Sequence, residues 1–209
     1  YEYIDLTRQI VLQLHRDLYA YSHKGIGGQF KNVQNSIIER LADGSEMECF
    51  KPLAPYETSA AIDDICHSIN AVLQDKSVNP LLVIPVFIHD FLCIHPFNDG
   101  NGRMSRLLTT LLLYQNGYMI GKFISLEQKI ERTKDSYYAA LAQSGAGWHT
   151  GDEDVVPFVK YMLRVILAAY RDFESRIELL TTSLSAKDRI KIIISATIGK
   201  ITKSGILEK

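Results

Sequence analysis

The stretch from Ile94 to Arg106, I-H-P-F-N-D-G-N-G-R-M-S-R, constrains the fold of this chain most, because it separates two strongly apolar segments. Pro96 disfavours helical geometry at the residue before it, so the apolar run over 81–94 should end at His95. The glycines of Asp99-Gly100-Asn101-Gly102 allow backbone conformations in which successive N–H groups point outward. The sequence therefore predicts two helices joined by a short turn.

The same stretch brings together groups that bind and transfer phosphate. The start of a helix is an anion site, because its first N–H groups lack intrahelical partners and the helix dipole is positive there. Arg103 and Arg106 are three residues apart and share one face of that helix. With the imidazole of His95 and the carboxylate of Asp99, this set suits a nucleotide triphosphate and its metal ion.

Each of these residues alone has a commoner structural explanation. A lone histidine at a helix end usually caps the helix, and a lone aspartate there usually closes a turn. Two glycines usually mean a turn, and an arginine pair at helical spacing usually lies on a solvated face. Because all of them occur within His95 to Arg106, the functional interpretation is favoured.

Composition limits the remaining alternatives. The chain has 209 residues, 46% hydrophobic and 22% charged, which is enough for one well-filled domain with a small annex. A net charge of −1 provides no general basic field for nucleic acid or anionic membranes. Cys49, Cys66 and Cys93 fit neither a disulfide framework nor a zinc site, so we expect a reducing, cytoplasmic setting. No apolar run is long enough to span a bilayer.

The spacing of apolar residues predicts a mostly α-helical chain with one short strand near Met47–Phe50 and a hairpin or flap on the surface. The predicted helices cover 5–21, 58–74, 80–94, 101–115, 125–142, 152–180 and 186–198. The Thr/Ser-rich residues 180–185 form the predicted boundary between a domain at 1–182 and a C-terminal helical segment at 183–209. Because residue 1 is tyrosine, we expect the chain to be a piece of a longer protein.

Residues 95–106 resemble the signature of the Fic family, H-P-F-x-D/E-G-N-G-R-x-x-R, at every defined position. The resemblance extends over roughly residues 5–180. It includes Gly28-Gln29-Phe30 ahead of the flap, and Tyr137-Tyr138-x-x-Leu141, Trp148-His149 and Pro157-Phe158, which resemble members with a C-terminal winged helix. It implies an all-α Fic fold, a helical bundle with a short β-hairpin flap over the active site. Residues 190–209 resemble the start of a winged helix cut short.

The resemblance implies transfer of AMP from ATP to a Ser, Thr or Tyr hydroxyl of a target protein, with release of pyrophosphate. His95 would be the general base and Asp99 would hold Mg²⁺. The other implied phosphate contacts are Gly100, Asn101, Gly102, Arg103 and Arg106. Tyr138 and Leu141 are implied for adenine and ribose, with a buried aromatic–aliphatic pair as the alternative. The implied target-binding flap is Glu48, Cys49, Phe50 and Lys51, which would add the target as an extra strand.

The chain departs from the family in two respects. It has Ser144-Gly145 where some members have an asparagine one turn after Leu141. It also contains no S/T-x-x-x-E-G/N segment, which in many members supplies an inhibitory glutamate. Either that segment precedes Tyr1 or regulation differs, so we expect Arg106 to lack an inhibitory partner and the site to be open. Removal of AMP, or transfer of another phosphate-containing group, is an alternative. A non-catalytic nucleotide-sensing or DNA-binding module is another.

The expected partners follow from the same resemblance. They are a protein substrate with a target hydroxyl, or the chain itself as acceptor. Contact with DNA is expected only through a complete C-terminal winged helix, and contact with membranes is not expected. A homodimer is left open.

Overall fold

The computed structural model describes residues 4–22, 25–40, 44, 46–181, 187, 188, 190 and 191. This part of the chain is mostly helical, which confirms the predicted class. The elements in order are α1 (Arg8–Leu18), β1 (Ile37–Arg40), β2 (Glu46–Phe50), α2 (Pro55–Asp75), α3 (Pro80–Ile94), α4 (Asn101–Gln115), α5 (Leu126–Arg132), α6 (Lys134–Gly145) and α7 (Val156–Thr181). Short 3-10 turns lie at Met119–Lys122 and Trp148–Thr150. Among the described helices, none is both long and apolar enough to cross a membrane.

Helix α3 is the central element, packed against α2, α4, α6 and α7. Asn79 caps its start by accepting a hydrogen bond from the Leu81 N–H at 2.9 Å, and Pro80 occupies the first turn, where a missing N–H costs nothing. Its apolar side chains are buried nearly all round, as at Ile84, Ile88 and Phe91. The helix thus forms the middle of the core and delivers His95 to one end of it.

Helix α4 follows α3 after a turn of six residues, 95–100, and carries the core face and the arginine face on one rigid element. Met104, Leu108 and Leu112 are buried toward the core. The predicted bounds of α3 and α4 are confirmed residue by residue. Pro85 lies inside α3, which nevertheless begins at Pro80.

One predicted helix is wrong in its extent. The single helix expected over 125–142 is divided into α5 and α6 at Thr133. The Thr133 hydroxyl lies 3.0 Å from the Lys129 carbonyl oxygen and 2.8 Å from the Tyr161 hydroxyl of α7. Threonine can bond back to the preceding turn in this way, which closes α5 and lets α6 leave in a new direction.

Strands β1 and β2 pair antiparallel, with Ile38 opposite Glu48 and Glu39 opposite Met47. Strand β2 also contacts α6. Most of the connecting turn lies outside the described residues. So do most of the helix predicted at 186–198, the boundary between residues 182 and 183, and the predicted start of a winged helix.

Phe158 tests the packing of the core. Its side chain is fully buried on α7, with ring centroids 5.9 Å from Tyr137 and 5.7 Å from His89. We expect Phe158→Ala to lower the free energy of unfolding by about 3–5 kcal/mol, because it leaves a cavity among three helices. Chemical denaturation measures the change.

Tyr56→Ala is the matched control, because this aromatic side chain on α2 is 85% exposed. We expect it to change the free energy of unfolding by less than about 0.5 kcal/mol. Equal effects of the two substitutions would contradict the packing described here.

Candidate active site

His95 ends α3 in a left-handed backbone conformation, with φ +52°. Its N–H donates to the Phe91 carbonyl at 3.0 Å and its Nδ1 lies 3.1 Å from the Leu92 carbonyl oxygen. A carbonyl can only accept, so Nδ1 carries the proton of the neutral ring. The lone pair is therefore on Nε2, which is the form required of a general base.

Burial lowers the pKa of His95 below its usual value of 6.5. The hydrogen bond to Leu92 opposes this shift, and the nearby charge of Lys31 adds to it. Near pH 7 the imidazole is therefore neutral and can take up a proton. Lys31 is itself only 3% exposed, and burial lowers its pKa to about 8.

Phe97 and Asn101 fix the shape of the turn. The Phe97 ring is fully buried and stacks on the His15 ring at 3.6 Å between centroids. The Asn101 side chain donates to the Phe97 carbonyl at 2.7 Å and accepts from the Phe97 N–H at 2.9 Å. Asn101 was predicted to contact phosphate. Its side chain closes the turn, and its backbone N–H lies at the start of α4, so the phosphate contact stays a prediction for that backbone group.

The start of α4 has no side-chain cap. The first backbone hydrogen bond of α4 from an N–H to the carbonyl four residues earlier runs from Met104 to Gly100. The N–H groups of Asn101, Gly102 and Arg103 come before it and therefore lack partners within the helix. Gly100 has φ +89°, and a Cβ there would lie 2.9 Å from the Tyr19 hydroxyl. Only glycine fits at that position, and the three amides lie at the helix start where an anion site is predicted.

Asp99 and Arg103 meet at this helix start. The Arg103 guanidinium lies 3.5 Å from the Asp99 carboxylate, donates to the Tyr19 hydroxyl and sits over the Tyr19 ring at 4.7 Å from its centroid. The Asp99 backbone carbonyl accepts from His15 Nε2 at 3.1 Å, while the His15 Nδ1 accepts from the Gly28 N–H. The aspartate is thus oriented through its backbone, and its carboxylate is 41% exposed.

The residues present fit a magnesium ion that is bound mainly by substrate. In the described part of the chain, no cluster of three His, Cys, Asp or Glu residues could hold a metal alone. Asp99 supplies one accessible carboxylate beside the anion site, and Mg²⁺ is commonly bound by one or two carboxylates together with phosphate oxygens and water. The geometry suits a metal that arrives with a nucleotide.

Arg106 is paired with a carboxylate, while the expectation that it lacks an inhibitory partner stays a prediction. Its Nε lies 3.0 Å from the Glu127 carboxylate in the first turn of α5. The arginine side chain is 29% exposed and the glutamate side chain 64% exposed. No local pattern predicted this pair, because Glu127 is 21 residues away and belongs to no segment of the inhibitory type.

The two residues predicted to contact adenine and ribose, Tyr138 and Leu141, lie on α6. Tyr138 is 51% exposed and touches the Tyr137 ring edge-on, at 5.3 Å between centroids, while Leu141 is half-buried against the core. Tyr137 is buried, and burial raises its pKa to about 12, with Ser105 and Arg106 of α4 close by. Tyr138 is thus the more accessible ring of the pair, and its contact with adenine remains a prediction.

The predicted flap residues lie on β2 and just after it. Phe50 stacks on the His149 ring at 5.4 Å, and His149 Nε2 donates to the Lys51 carbonyl at 2.8 Å. Glu48 is exposed and accepts from the Ser36 hydroxyl at 2.6 Å. Phe50 thus anchors the strand on the turn after α6. The side chain of Cys49 lies outside what the structure describes.

Sequence reasoning missed several residues that surround the turn. His15 contacts it from α1 and Tyr19 from the end of that helix, and Lys31 and Asn35 contact it from the segment before β1. His15 had a usable signal, because it follows Val11 by four residues on the buried face of α1, where a polar side chain needs a partner. The other three had none that was local.

Comparison with known proteins agrees with this architecture. Residues 5–113 match the model of the Fic/DOC family. The chain is 27% identical over 159 residues to a protein named "Protein adenylyltransferase Fic" from Drosophila grimshawi, and the match covers 76% of this chain and 28% of that protein. The chain therefore spans less than a third of the length of this relative.

Two solved structures are similar as well. A Fic domain containing signaling protein from Bacteroides thetaiotaomicron has a TM-score of 0.61 and 26% identity, covering 80% of this chain and 63% of that one. A Fic family protein from Desulfovibrio desulfuricans, at 23% identity, shares the fold with a TM-score of 0.65, covering 90% of this chain and 56% of that one. Since the family model spans just over half of the residues and includes the whole 95–106 turn and helix start, this chain belongs to the Fic/DOC family.

Proposed function

We propose that this chain transfers AMP from ATP to a Ser, Thr or Tyr hydroxyl of a protein, releasing pyrophosphate. The observation that carries the proposal is His95, whose Nδ1 lies against the Leu92 carbonyl and so leaves the lone pair on Nε2, six residues before the uncapped start of α4. Binding alone would need the anion site but no base. The name of the Drosophila grimshawi relative supports the same chemistry.

In the proposed reaction the acceptor hydroxyl attacks the α-phosphorus and gives its proton to Nε2 of His95. The bond between the α-phosphorus and the bridging oxygen breaks, and the electron pair leaves with pyrophosphate. The amides of Asn101, Gly102 and Arg103 hold phosphate oxygens through the helix start. Asp99 would hold Mg²⁺, whose charge neutralises phosphate oxygens when it is bound.

The two arginines would bind the β/γ end of the nucleotide and stabilise the charge on the departing pyrophosphate. Arg103 and Arg106 each have one carboxylate partner in the structure, Asp99 and Glu127. Exposed pairs of this kind contribute only about 0.2–1 kcal/mol, so phosphate oxygens can replace the carboxylates at small cost. Tyr138 and Leu141 would then contact the adenosine.

The hairpin would receive the target. A two-stranded sheet leaves one edge of each strand without a strand neighbour, and an extended peptide can bind such an edge through its backbone. Glu48 and Lys51 are exposed and available for target contacts, while Phe50 and His149 hold the end of the hairpin in place. The C-terminal winged helix, the homodimer and the cytoplasmic location remain predictions.

His95→Ala tests the proposal. With labelled ATP and Mg²⁺, we expect the wild-type protein to label itself or an added protein acceptor. We expect the variant to lose the transfer rate by about 100-fold or more, the range associated with a general base, while its ATP affinity stays within about twofold. Rapid quench measures transfer and calorimetry measures binding.

His67→Ala is the control, because His67 is exposed on α2. Labelling by His95→Ala at the wild-type rate would refute the role of His95. Mass spectrometry of the adduct separates AMP from another phosphate-containing group, and incubation with a pre-formed AMP adduct tests the reverse reaction.

The fall of the transfer rate at acidic pH is a second test of His95 as the base. Because burial lowers the pKa of His95 below 6.5, the base stays neutral until the pH falls below that value. We expect kcat/KM for ATP, which reports the groups of the nucleotide-free protein, to change little from pH 8 to 7 and to reach half its maximum below pH 6.5. A midpoint above 6.5 would contradict a buried histidine as the base.

Glu127→Gln tests the competition at Arg106. The substitution removes the negative charge 3.0 Å from the Arg106 guanidinium. We expect ATP to bind up to about fivefold more tightly, since an exposed pair contributes up to about 1 kcal/mol. Glu131→Gln on the same helix is the control, because it removes a carboxylate that pairs with Lys134 and not with Arg106. Equal ATP affinity in both variants would show that the pair does not compete with nucleotide.

A further inference from the structure

The segment just before the hairpin holds the backbone of the catalytic turn at successive carbonyl groups. The Lys31 Nζ donates to the Ile94 carbonyl at 2.8 Å, and the Lys31 N–H donates to the Pro96 carbonyl at 2.8 Å. The Asn35 Nδ2 donates to the carbonyls of His95 at 3.2 Å and Phe97 at 3.1 Å. Residues 94–97 thus accept hydrogen bonds one after another from Lys31 and Asn35.

The turn needs donors from outside because of its own backbone. The last carbonyls of a helix lack intrahelical partners, and Pro96 has no N–H to contribute. His95 has φ +52°, a conformation that is costly for any residue except glycine and persists only where the surroundings enforce it. The carbonyl bond from Asn35 and the N–H bond to Phe91 hold its backbone on both sides.

Asn35 suits this task because it uses both ends of its amide. The amide nitrogen donates to the turn, while Oδ1 accepts from the Lys31 Nζ at 3.0 Å. Lys31 is only 3% exposed and therefore fixes the amide from a rigid position. The lysine thus determines that the amide nitrogen of Asn35, and not the amide oxygen, faces the turn.

The same residues join the turn to the hairpin. Asn35 lies two residues before the start of β1. The neighbouring Gln34 side chain donates to the carbonyls of Asn35 and of Pro52, which follows β2, so both ends of the hairpin meet beside Asn35. Asn35 thus connects the base of the hairpin to the backbone of His95.

We propose that Asn35, oriented by Lys31, is a positioning residue that fixes the backbone of His95 and so aims its imidazole at the acceptor hydroxyl. The proposal deepens the adenylyl transfer proposed above and rests on it. Asn35 touches no reacting atom. Its effect is expected on the rate of transfer and not on nucleotide binding, because the phosphate contacts come from α4.

Asn35→Asp separates these effects. The carboxylate keeps the shape and the acceptor for Lys31, but it cannot donate, and it faces the carbonyl oxygens of His95 and Phe97. We expect the transfer rate constant to fall at least about tenfold, since small misplacements of a catalytic group are costly. We expect the KM for ATP to stay within about twofold and the melting temperature within a few degrees.

Gln34→Glu is the matched control, because it makes the same chemical change one residue away and loses donors only to Asn35 and Pro52. We expect its transfer rate to stay within about threefold of wild type. An Asn35→Asp rate equal to that of Gln34→Glu would overturn the proposal. So would a loss that falls mainly on ATP affinity or on the melting temperature.

A second measurement does not depend on the reaction. In the protein without nucleotide, ¹⁵N NMR of the imidazole reports which ring nitrogen of His95 carries the proton. We expect Nδ1–H in the wild type and in Gln34→Glu, and a mixture of tautomers or a broadened signal in Asn35→Asp. If the wild type transfers no AMP, the proposed function fails. The NMR signal then decides the positioning role by itself, and an unchanged His95 signal in Asn35→Asp would overturn that role. If Asn35→Asp does not fold, Asn35→Ala replaces it in both measurements.

Discussion

The burial of Phe97 is the contact on which the rest of the site depends. A turn rich in glycine and polar residues has little to hold it in one conformation, and Phe97 is its one fully buried aromatic side chain. The ring packs on His15, Phe30 and Phe91, and Asn101 ties its backbone to the start of α4. Because the turn is anchored in the core, the polar groups on either side of Phe97 keep fixed directions. His95 and the α4 amides are pre-positioned in this way.

The polar groups of the site fall into two sets that differ in burial. His15, Lys31 and Asn101 are buried, and their hydrogen bonds hold the backbone of the turn. Breaking such a bond leaves a buried donor or acceptor without a partner, which is expensive. The ion pairs of Arg103 and Arg106 are partly exposed, so exchanging their carboxylates for phosphate, as proposed above, would cost little. The buried hydrogen bonds thus hold the turn rigidly, whereas the ion pairs of the two arginines can be exchanged.

Local signals predicted much of the fold. The bounds of α3 and α4 follow from Asn79-Pro80 at one start and from Pro96 and the glycines at the turn, since caps and breakers act within a few residues. The division at Thr133 was missed because its bond to Tyr161 joins residues 28 apart, although the bond back to Lys129 is local. The opening helix was predicted from Asp5 but begins at Arg8, where Thr7 caps it.

The sequence by itself determined the chemistry of the turn: a histidine after a helix, a carboxylate, two glycines and two arginines within residues 95–106, whose order along the chain fixes which groups can share a helix face. Only the tertiary structure decided which distant residues complete it. Glu127 meets Arg106 across 21 residues, Asn35 meets His95 across 60 and His15 meets Asp99 across 84. Such pairs depend on how α1, α5 and the base of the hairpin pack around α3 and α4, and no local pattern records that packing.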